Sequence, residues 1–78
     1  MPQASKFHTD RMKEYFGPDN WMEEGPCRFL EDQGYRVTKR WTWVNPRVKS
    51  VDDVTEKERD CIIFMMDEWD YDGLEFLD

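Results

Sequence analysis

The sequence predicts a small α+β domain, with short N-terminal helices, one strong strand at about 35–44 and a long C-terminal helix at about 55–70. Three observations lead to this fold class. Apolar residues recur at helical spacing in the first third of the chain, apolar and polar residues alternate over 35–44, and a helix-capping pattern precedes an amphipathic stretch. Because 78 residues is the length of one small domain, we expect a single domain over 1–78.

The composition combines a large aromatic content with a high charge. Aromatic residues make up 15% of the chain, five Met add apolar surface, and 37% of the residues are charged. This much apolar surface indicates a folded domain with a charged exterior. No apolar run approaches the roughly 18 residues of a membrane span, and the N-terminus lacks the apolar core of a signal peptide. We therefore expect a cytoplasmic protein with no membrane partner, and a loose end at residues 1–5.

Two helical regions are predicted before the strand. The segment 7–16 has apolar residues on one face and is followed by a Gly-Pro pair that ends it. The second region, 21–33, is interrupted by the Gly-Pro pair at 25–26, because proline lacks a backbone amide and clashes with the preceding turn. Asn20 and Glu23 form a candidate cap pair for this second region.

Residues 35–44 have the alternation of a strand with two different faces. One face is mainly aromatic or branched and the other is basic or hydroxylic. The first set is Tyr35, Val37, Lys39, Trp41 and Trp43, and the second is Arg36, Thr38, Arg40 and Thr42. A lone strand cannot satisfy its own backbone, so a neighbour is required. Three candidates stay open: residues 74–77, a hairpin break within 35–44, or the same strand of a second copy.

The clearest helix is predicted to begin at Thr55. Thr55 and Glu58 have the spacing of a capping box, in which the hydroxyl and the carboxylate each bind an amide of the first turn. The expected inward stripe is Ile62, Met65, Met66 and Trp69. Ile63 and Phe64 project from other sides, and a helix that is apolar on more than one side is either buried between layers or available to a second surface. Ile63 and Phe64 are therefore the candidate residues for self-association.

The charge is divided unequally along the chain, whose formal net charge is −7. Residues 1–50 carry nine Lys or Arg and seven Asp or Glu, whereas residues 51–78 carry two and eleven. Such a division indicates either two halves that attract each other in the fold or a partner site at one pole.

Few residues suggest catalysis or metal binding. One His and two Cys, Cys27 and Cys61, cannot complete a four-ligand zinc site, and the two Cys can form at most one disulfide. Neither serine lies in a nucleophile pattern, and there is no Gly-rich phosphate loop. The segment 68–73 has the spacing of a calcium loop, but the bidentate acid would fall one position beyond residue 78. We therefore expect no enzymatic activity, no metal and no cofactor.

The acidic segment near the C-terminus is the leading candidate for a partner site. Its candidate partner-binding residues are Asp67, Glu68, Asp70, Tyr71, Asp72 and Glu75. Carboxylates interleaved with aromatic rings can bind the Arg and Lys of a nucleic-acid-binding groove. In size, acidity and aromatic content the chain resembles small acidic proteins that phages use against host defences or host polymerase. The resemblance implies a non-enzymatic inhibitor or adaptor that occupies a basic surface of a protein or nucleoprotein partner, an anti-CRISPR protein being one concrete version.

Two alternatives stay open beside this hypothesis. The first is a structural or regulatory homodimer that pairs strand 35–44 across a two-fold axis. The second is a nucleic-acid binder that uses a basic surface of Arg36, Lys39, Arg40 and Trp41. The net charge of −7 opposes direct nucleic-acid binding, because that affinity rests mainly on electrostatic attraction.

Overall fold

A computed structural model describes residues 4–77 of the chain. The elements, in order, are α1 (Lys6–Phe16), α2 (Glu24–Asp32), β1 (Arg36–Val37), β2 (Thr42–Val44), a 3₁₀ turn (Val51–Asp53), α3 (Glu56–Trp69) and β3 (Gly73–Leu74). The three strands form one sheet in the order β1-β2-β3. The predicted fold class, a small α+β domain with a long C-terminal helix, is confirmed.

The start of α1 is held by two hydrogen bonds. The Ser5 hydroxyl accepts from the backbone N–H of His8 at 3.2 Å, as an N-cap residue does. The backbone N–H of Ala4 donates to a carboxylate oxygen of Glu68 at 3.1 Å. Positions 4 and 5 therefore do not belong to a loose end, as the prediction for 1–5 had them, because the cap and α3 fix them. Residues 1–3 of that prediction lie outside the described residues.

The second helix begins at the Gly-Pro pair that was expected to interrupt it. Gly25 and Pro26 both lie in the first turn of α2, where a missing backbone amide removes no helical hydrogen bond. The predicted cap pair is wrong, because Glu23 occupies the N-cap position without a side-chain hydrogen bond. Instead, the Gly25 N–H donates to the Asn20 carbonyl at 2.7 Å.

The segment predicted as one strand over 35–44 is a hairpin. β1 and β2 pair antiparallel, and the turn between them is closed by a hydrogen bond of 2.9 Å from the Thr38 N–H to the Thr42 carbonyl. Two of the three candidate neighbours are thus realised, since the hairpin supplies one and β3, parallel to β2, supplies the other. β3 is the pair Gly73–Leu74 rather than the whole predicted range 74–77.

The capping pattern at the start of α3 is confirmed in one half and altered in the other. The Thr55 hydroxyl accepts from the Glu58 N–H at 3.2 Å. The Glu58 carboxylate does not close a reciprocal box; it accepts from the Thr55 hydroxyl at 2.9 Å, from the Tyr35 hydroxyl at 2.7 Å and from Arg47 at 2.9 Å. Glu58 is only 2% exposed, so this carboxylate joins α3 to the hairpin from inside the molecule.

The core lies between α3 and the other elements. Its buried apolar residues are Met12, Leu30, Tyr35, Trp43, Val48, Cys61, Ile62, Phe64 and Met65. Phe64 is fully buried and its ring contacts that of Trp21 at a centroid distance of 6.1 Å, so the prediction that Phe64 faces outward for self-association is wrong. Met66 and Trp69, expected to point inward, are instead 38% and 39% exposed. The reason is that α3 packs on α1, α2 and β3 together, so more than one side of the helix faces the core.

Candidate functional site

The two surfaces that the sequence places at opposite poles lie side by side. Because β2 and β3 are neighbours, the Trp41 carbonyl accepts from the Asp72 N–H at 2.8 Å. The Trp43 carbonyl accepts from the Glu75 N–H at 2.9 Å. The acidic segment that contains Asp72 and Glu75 therefore runs directly along the end of the basic hairpin.

Three aromatic rings at this junction pack in a row from the core to the surface. The Tyr71 ring stacks on the Trp43 ring with centroids 5.4 Å apart and an interplanar angle of 10°. The Trp41 ring contacts the Tyr71 ring at 5.3 Å and 73°. Trp43 is 1% exposed and Trp41 is 57% exposed, so Tyr71 joins the exposed indole of Trp41 to the buried indole of Trp43. Trp41 is thus an ordered aromatic residue on the outside of the protein.

The backbone at Trp41 adopts the left-handed conformation, with a φ of 61°. A bulky residue rarely adopts this region, because its Cβ is crowded by the backbone. Two hydrogen bonds hold it there: the Trp41 N–H donates to the Thr38 carbonyl at 3.0 Å, and the Trp41 carbonyl accepts from Asp72. The hairpin turn and β3 together therefore decide where the exposed indole lies.

The predicted basic surface is largely used inside the molecule. Arg40 donates from one guanidinium nitrogen to both carboxylate oxygens of Glu75, at 2.6 and 2.5 Å. Arg36 donates to the backbone carbonyls of Glu31 and Tyr35 at 3.2 and 2.6 Å. Of the three basic side chains, only Lys39 has no ion pair or side-chain hydrogen bond with the described part of the chain.

The predicted acidic residues divide into engaged and free ones. Glu75 is paired with Arg40, and Glu68 accepts from the Ala4 N–H. Asp67 is half-buried on α3. Asp70 and Asp72 are exposed, and neither forms an ion pair with any residue between 4 and 77. Asp70 and Asp72 therefore leave unpaired negative charge in the segment whose backbone bonds to the Trp41 carbonyl.

Helix α2 adds carboxylates that sequence reasoning missed. Burial raises the pKa of the Tyr71 hydroxyl, and the neighbouring Cys27 thiol and the charge of Glu23 and Glu31 raise it further. Burial, followed by the charges of Glu23 and Glu31, also raises the pKa of Cys27 to about 11. The charges of Glu23 and Glu31 therefore act on both Tyr71 and Cys27. No local pattern in the sequence relates them to residues forty or more positions later.

We call the resulting surface the aromatic–acidic face. It is defined by residues from α2, the hairpin and the segment before β3: Glu23, Glu31, Trp41, Asp70, Tyr71 and Asp72. A rigid indole flanked by carboxylates can contact the alkyl stems and guanidinium planes of basic side chains while the carboxylates accept their hydrogen bonds. This arrangement suits binding; within residues 4–77 no group of three His, Cys, Asp or Glu side chains could hold a metal ion.

A second polar cluster contains the side chains of a catalytic triad without its geometry. Ser5 Oγ lies 3.0 Å from His8 Nδ1, but His8 Nε2 is 3.8 Å from the Asp60 carboxylate, which is too long for a hydrogen bond. Asp60 instead accepts from Tyr15 at 2.7 Å and from Arg11 at 3.2 Å. Since the Ser5 hydroxyl also caps α1, the cluster fastens α1 to α3.

Cys27 and Cys61 are both free, and burial raises the pKa of Cys61 to about 12. Among the helices of the described chain, none is both long enough and apolar enough to cross a membrane.

Comparison with known proteins identifies a family. A family model described as phage Pam3 gp59 related protein matches residues 1–76 of this chain. No curated protein matches the chain, and no solved structure matches it either.

Proposed function

From the premise that the chain belongs to the phage Pam3 gp59-related family, we propose that this phage protein is a non-enzymatic inhibitor or adaptor that binds a basic protein surface. The observation that carries the proposal is the position of Trp41, which is 57% exposed and held beside the unpaired carboxylates of Asp70 and Asp72. The positive φ of Trp41, 61°, is backbone strain of the kind that clusters at binding sites, and this supports a binding role for the indole.

The face combines the two parts of a strong protein contact. Trp is among the residue types most enriched at positions that dominate binding energy, and the edge-to-face contact with Tyr71 limits the entropy that Trp41 loses on binding. The net charge of −7 attracts a basic partner over a distance and accelerates the encounter. Carboxylates at the contact then give charge-assisted hydrogen bonds to Arg or Lys.

An acidic protein that covers a nucleic-acid-binding groove excludes the nucleic acid by competition. This supports the finer proposal that the partner is a host nucleic-acid-binding protein or nucleoprotein complex, including a CRISPR effector. The alternative of direct nucleic-acid binding has less support. Glu75 neutralises the charge of Arg40, and the Arg36 guanidinium donates to the backbone carbonyl of Tyr35, so neither is free to bind phosphates.

The test begins by capturing the partner from the phage host and then measures binding kinetics. Trp41→Ala should weaken binding by about 2 kcal/mol, the loss expected for a central anchor. The control is Phe7→Ala, which removes another exposed aromatic residue, 60% exposed on α1, and should leave binding unchanged. If the Trp41→Ala and Phe7→Ala variants bind the partner equally well, Trp41 is not part of the contact.

The charges are tested separately by variants that keep shape. Asp70→Asn combined with Asp72→Asn should slow association at low salt, with less effect as salt screens charges beyond about 10 Å at 0.1 M. Glu14→Gln combined with Asp19→Asn is the matched control, because both acids are exposed and unpaired within residues 4–77. If both pairs slow association equally, total charge and not this face attracts the partner.

A further inference from the structure

A second, apolar surface has no lining residue in common with the aromatic–acidic face. It is a groove of about 350 Å³ between the 3₁₀ turn, α3 and β3. Its apolar walls are Val51, Val54, Ile62, Ile63, Met66 and Leu74. Val51 is 71% exposed and Met66 is 38% exposed, so large apolar side chains face water here. Ile63, the half-buried residue predicted to take part in self-association, is one of these walls.

The groove meets an open sheet edge at Leu74. In the parallel pair, Trp43 is the register partner of Leu74, and the Trp43 carbonyl accepts from the N–H of the following residue, Glu75. This pattern directs the N–H and the carbonyl of Leu74 away from β2, because backbone groups of successive residues alternate between the two sides of a strand. β3 is the last strand of the sheet order, so its outer side has no strand beside it within residues 4–77.

We propose that an extended segment of a partner protein adds to the outer edge of β3 as a further strand and inserts an apolar side chain into the groove. Strand addition of this kind obtains affinity from main-chain hydrogen bonds and specificity from pockets for alternate side chains. The backbone of Leu74 offers the hydrogen bonds, and the groove beside the Leu74 side chain offers the pocket.

The charges around the edge determine the chemistry of the occupant. Asp52 and Arg59, the two charged residues of the groove lining, offset each other, whereas Asp72, which precedes β3, adds an exposed carboxylate. Because this carboxylate and the net charge of −7 favour a basic occupant, the fitting segment alternates apolar residues with Lys or Arg. A second copy of this chain fits poorly, because it carries a net charge of −7 and would bring an equally acidic edge against this one.

The opposite sheet edge lacks these features. β1 consists of Arg36 and Val37 and has no groove residue. A charged residue on an edge strand discourages the addition of further strands. β1 therefore supplies the control position, since Val37 is an exposed valine, as Val51 is.

The experiment uses a synthetic heptapeptide that alternates Lys and Val, acetylated and amidated at its ends, and follows the protein by NMR. Binding should move the signals of Val51 and Ile63 and slow hydrogen exchange at the Leu74 amide. Val51→Ser removes the apolar wall without adding a charge and should weaken peptide binding about tenfold, a loss of about 1.4 kcal/mol. Val37→Ser makes the same change at the other edge and should leave the affinity unchanged. Both sites are exposed, so both variants should fold.

Two further peptides separate strand addition from attraction between charges. The same heptapeptide with N-methylated valines keeps charge and apolar surface but loses main-chain donors, and it should bind at least tenfold more weakly. Equal binding of the methylated peptide, or equal losses in Val51→Ser and Val37→Ser, would overturn the proposal. Two other results would also overturn it. One is a heptapeptide that alternates Glu and Val and binds as well as the Lys peptide, and the other is a dimer, seen by light scattering, that excludes the peptide.

Discussion

The buried Glu58 carboxylate should be the most sensitive polar position of the fold. Glu58→Ala removes the acceptor for three donors: the hydroxyls of Tyr35 and Thr55 and the guanidinium of Arg47. Tyr35 is fully buried, so its hydroxyl would be left without a partner, whereas Arg47 is about half exposed and can turn to water. The cap hydroxyl of Thr55 also loses the contact that orients it.

The magnitude follows from these three losses. An unpartnered buried hydroxyl costs about 1 to 3 kcal/mol, and loss of the carboxylate contact weakens a cap worth about 1 kcal/mol. The ion pair with Arg47 adds less than 1 kcal/mol, because that side chain is 48% exposed and its charge is screened by solvent. We expect Glu58→Ala to lower the free energy of unfolding by about 3 kcal/mol, most of the roughly 3 to 5 kcal/mol available to so small a core.

Urea denaturation followed by circular dichroism measures this loss, and the first turn of α3 offers a control. Glu56→Ala is the same substitution two residues earlier, at a side chain that is 65% exposed and pairs with Arg11. Its cost should stay below about 1 kcal/mol, as for other surface ion pairs. Equal costs for Glu56→Ala and Glu58→Ala would refute the claim that a buried carboxylate organises the fold. Combining Glu58→Ala with Tyr35→Phe should recover part of the loss, because the orphaned hydroxyl is then absent.

Three further changes test local features of the structure. Thr55→Ala should lower the free energy of unfolding by about 1 kcal/mol, because the N-cap acceptor of α3 is removed, and an unchanged midpoint in urea would contradict this. Gly25→Ala should cost about 1 to 3 kcal/mol, because its Cβ would lie 2.5 Å from the Asn20 carbonyl oxygen; a variant as stable as the parent would show that α2 can shift. Stability should fall between about pH 9 and pH 11, because burial raises the native pKa values of Cys27 and Cys61 to about 11 and about 12, above the value in the unfolded chain. In this pH range the thiols ionise only in the unfolded chain, which is therefore favoured. A Cys27→Ala, Cys61→Ala double variant should lose less stability across the same range.

Features that depend on neighbours in sequence could be predicted. The capping residue Thr55, the alternation over 35–44 and the helical spacing before it are local patterns, and each led to a helix or to strand structure in the right place. Ser5 is an N-cap residue like Thr55 but has His8 instead of an acid three positions later, and it was assigned to a loose end. The hairpin break was open as one alternative, since no Gly or Asn marks the turn and Trp41 takes the left-handed position instead.

Features that depend on tertiary packing could not be predicted in this way. The sequence separated a basic and an acidic pole, yet Arg40 pairs with Glu75 thirty-five positions later, because β2 and β3 are neighbours in the sheet. The spacing of apolar residues on α3 suggested that Phe64 faces outward, whereas packing on two sides buries it against Trp21. Glu58 was assigned to a surface cap, and only the position of Tyr35 reveals its inward role.

The parallel pairing of β2 and β3 also determines when the aromatic–acidic face forms during folding. Parallel strands cannot be joined by a tight turn, and here α3 lies between them in the chain. The contact of Trp41 with Asp72 therefore forms only after the helix has brought β3 back to the sheet, and contacts between distant residues form slowly. Because β3 is only two residues long, its opening would break the hydrogen bond between the Asp72 N–H and the Trp41 carbonyl. The same opening would free the Tyr71 ring. The proposed binding surface thus depends on the pairing of β3, and a partner that bound it would slow the opening of that strand.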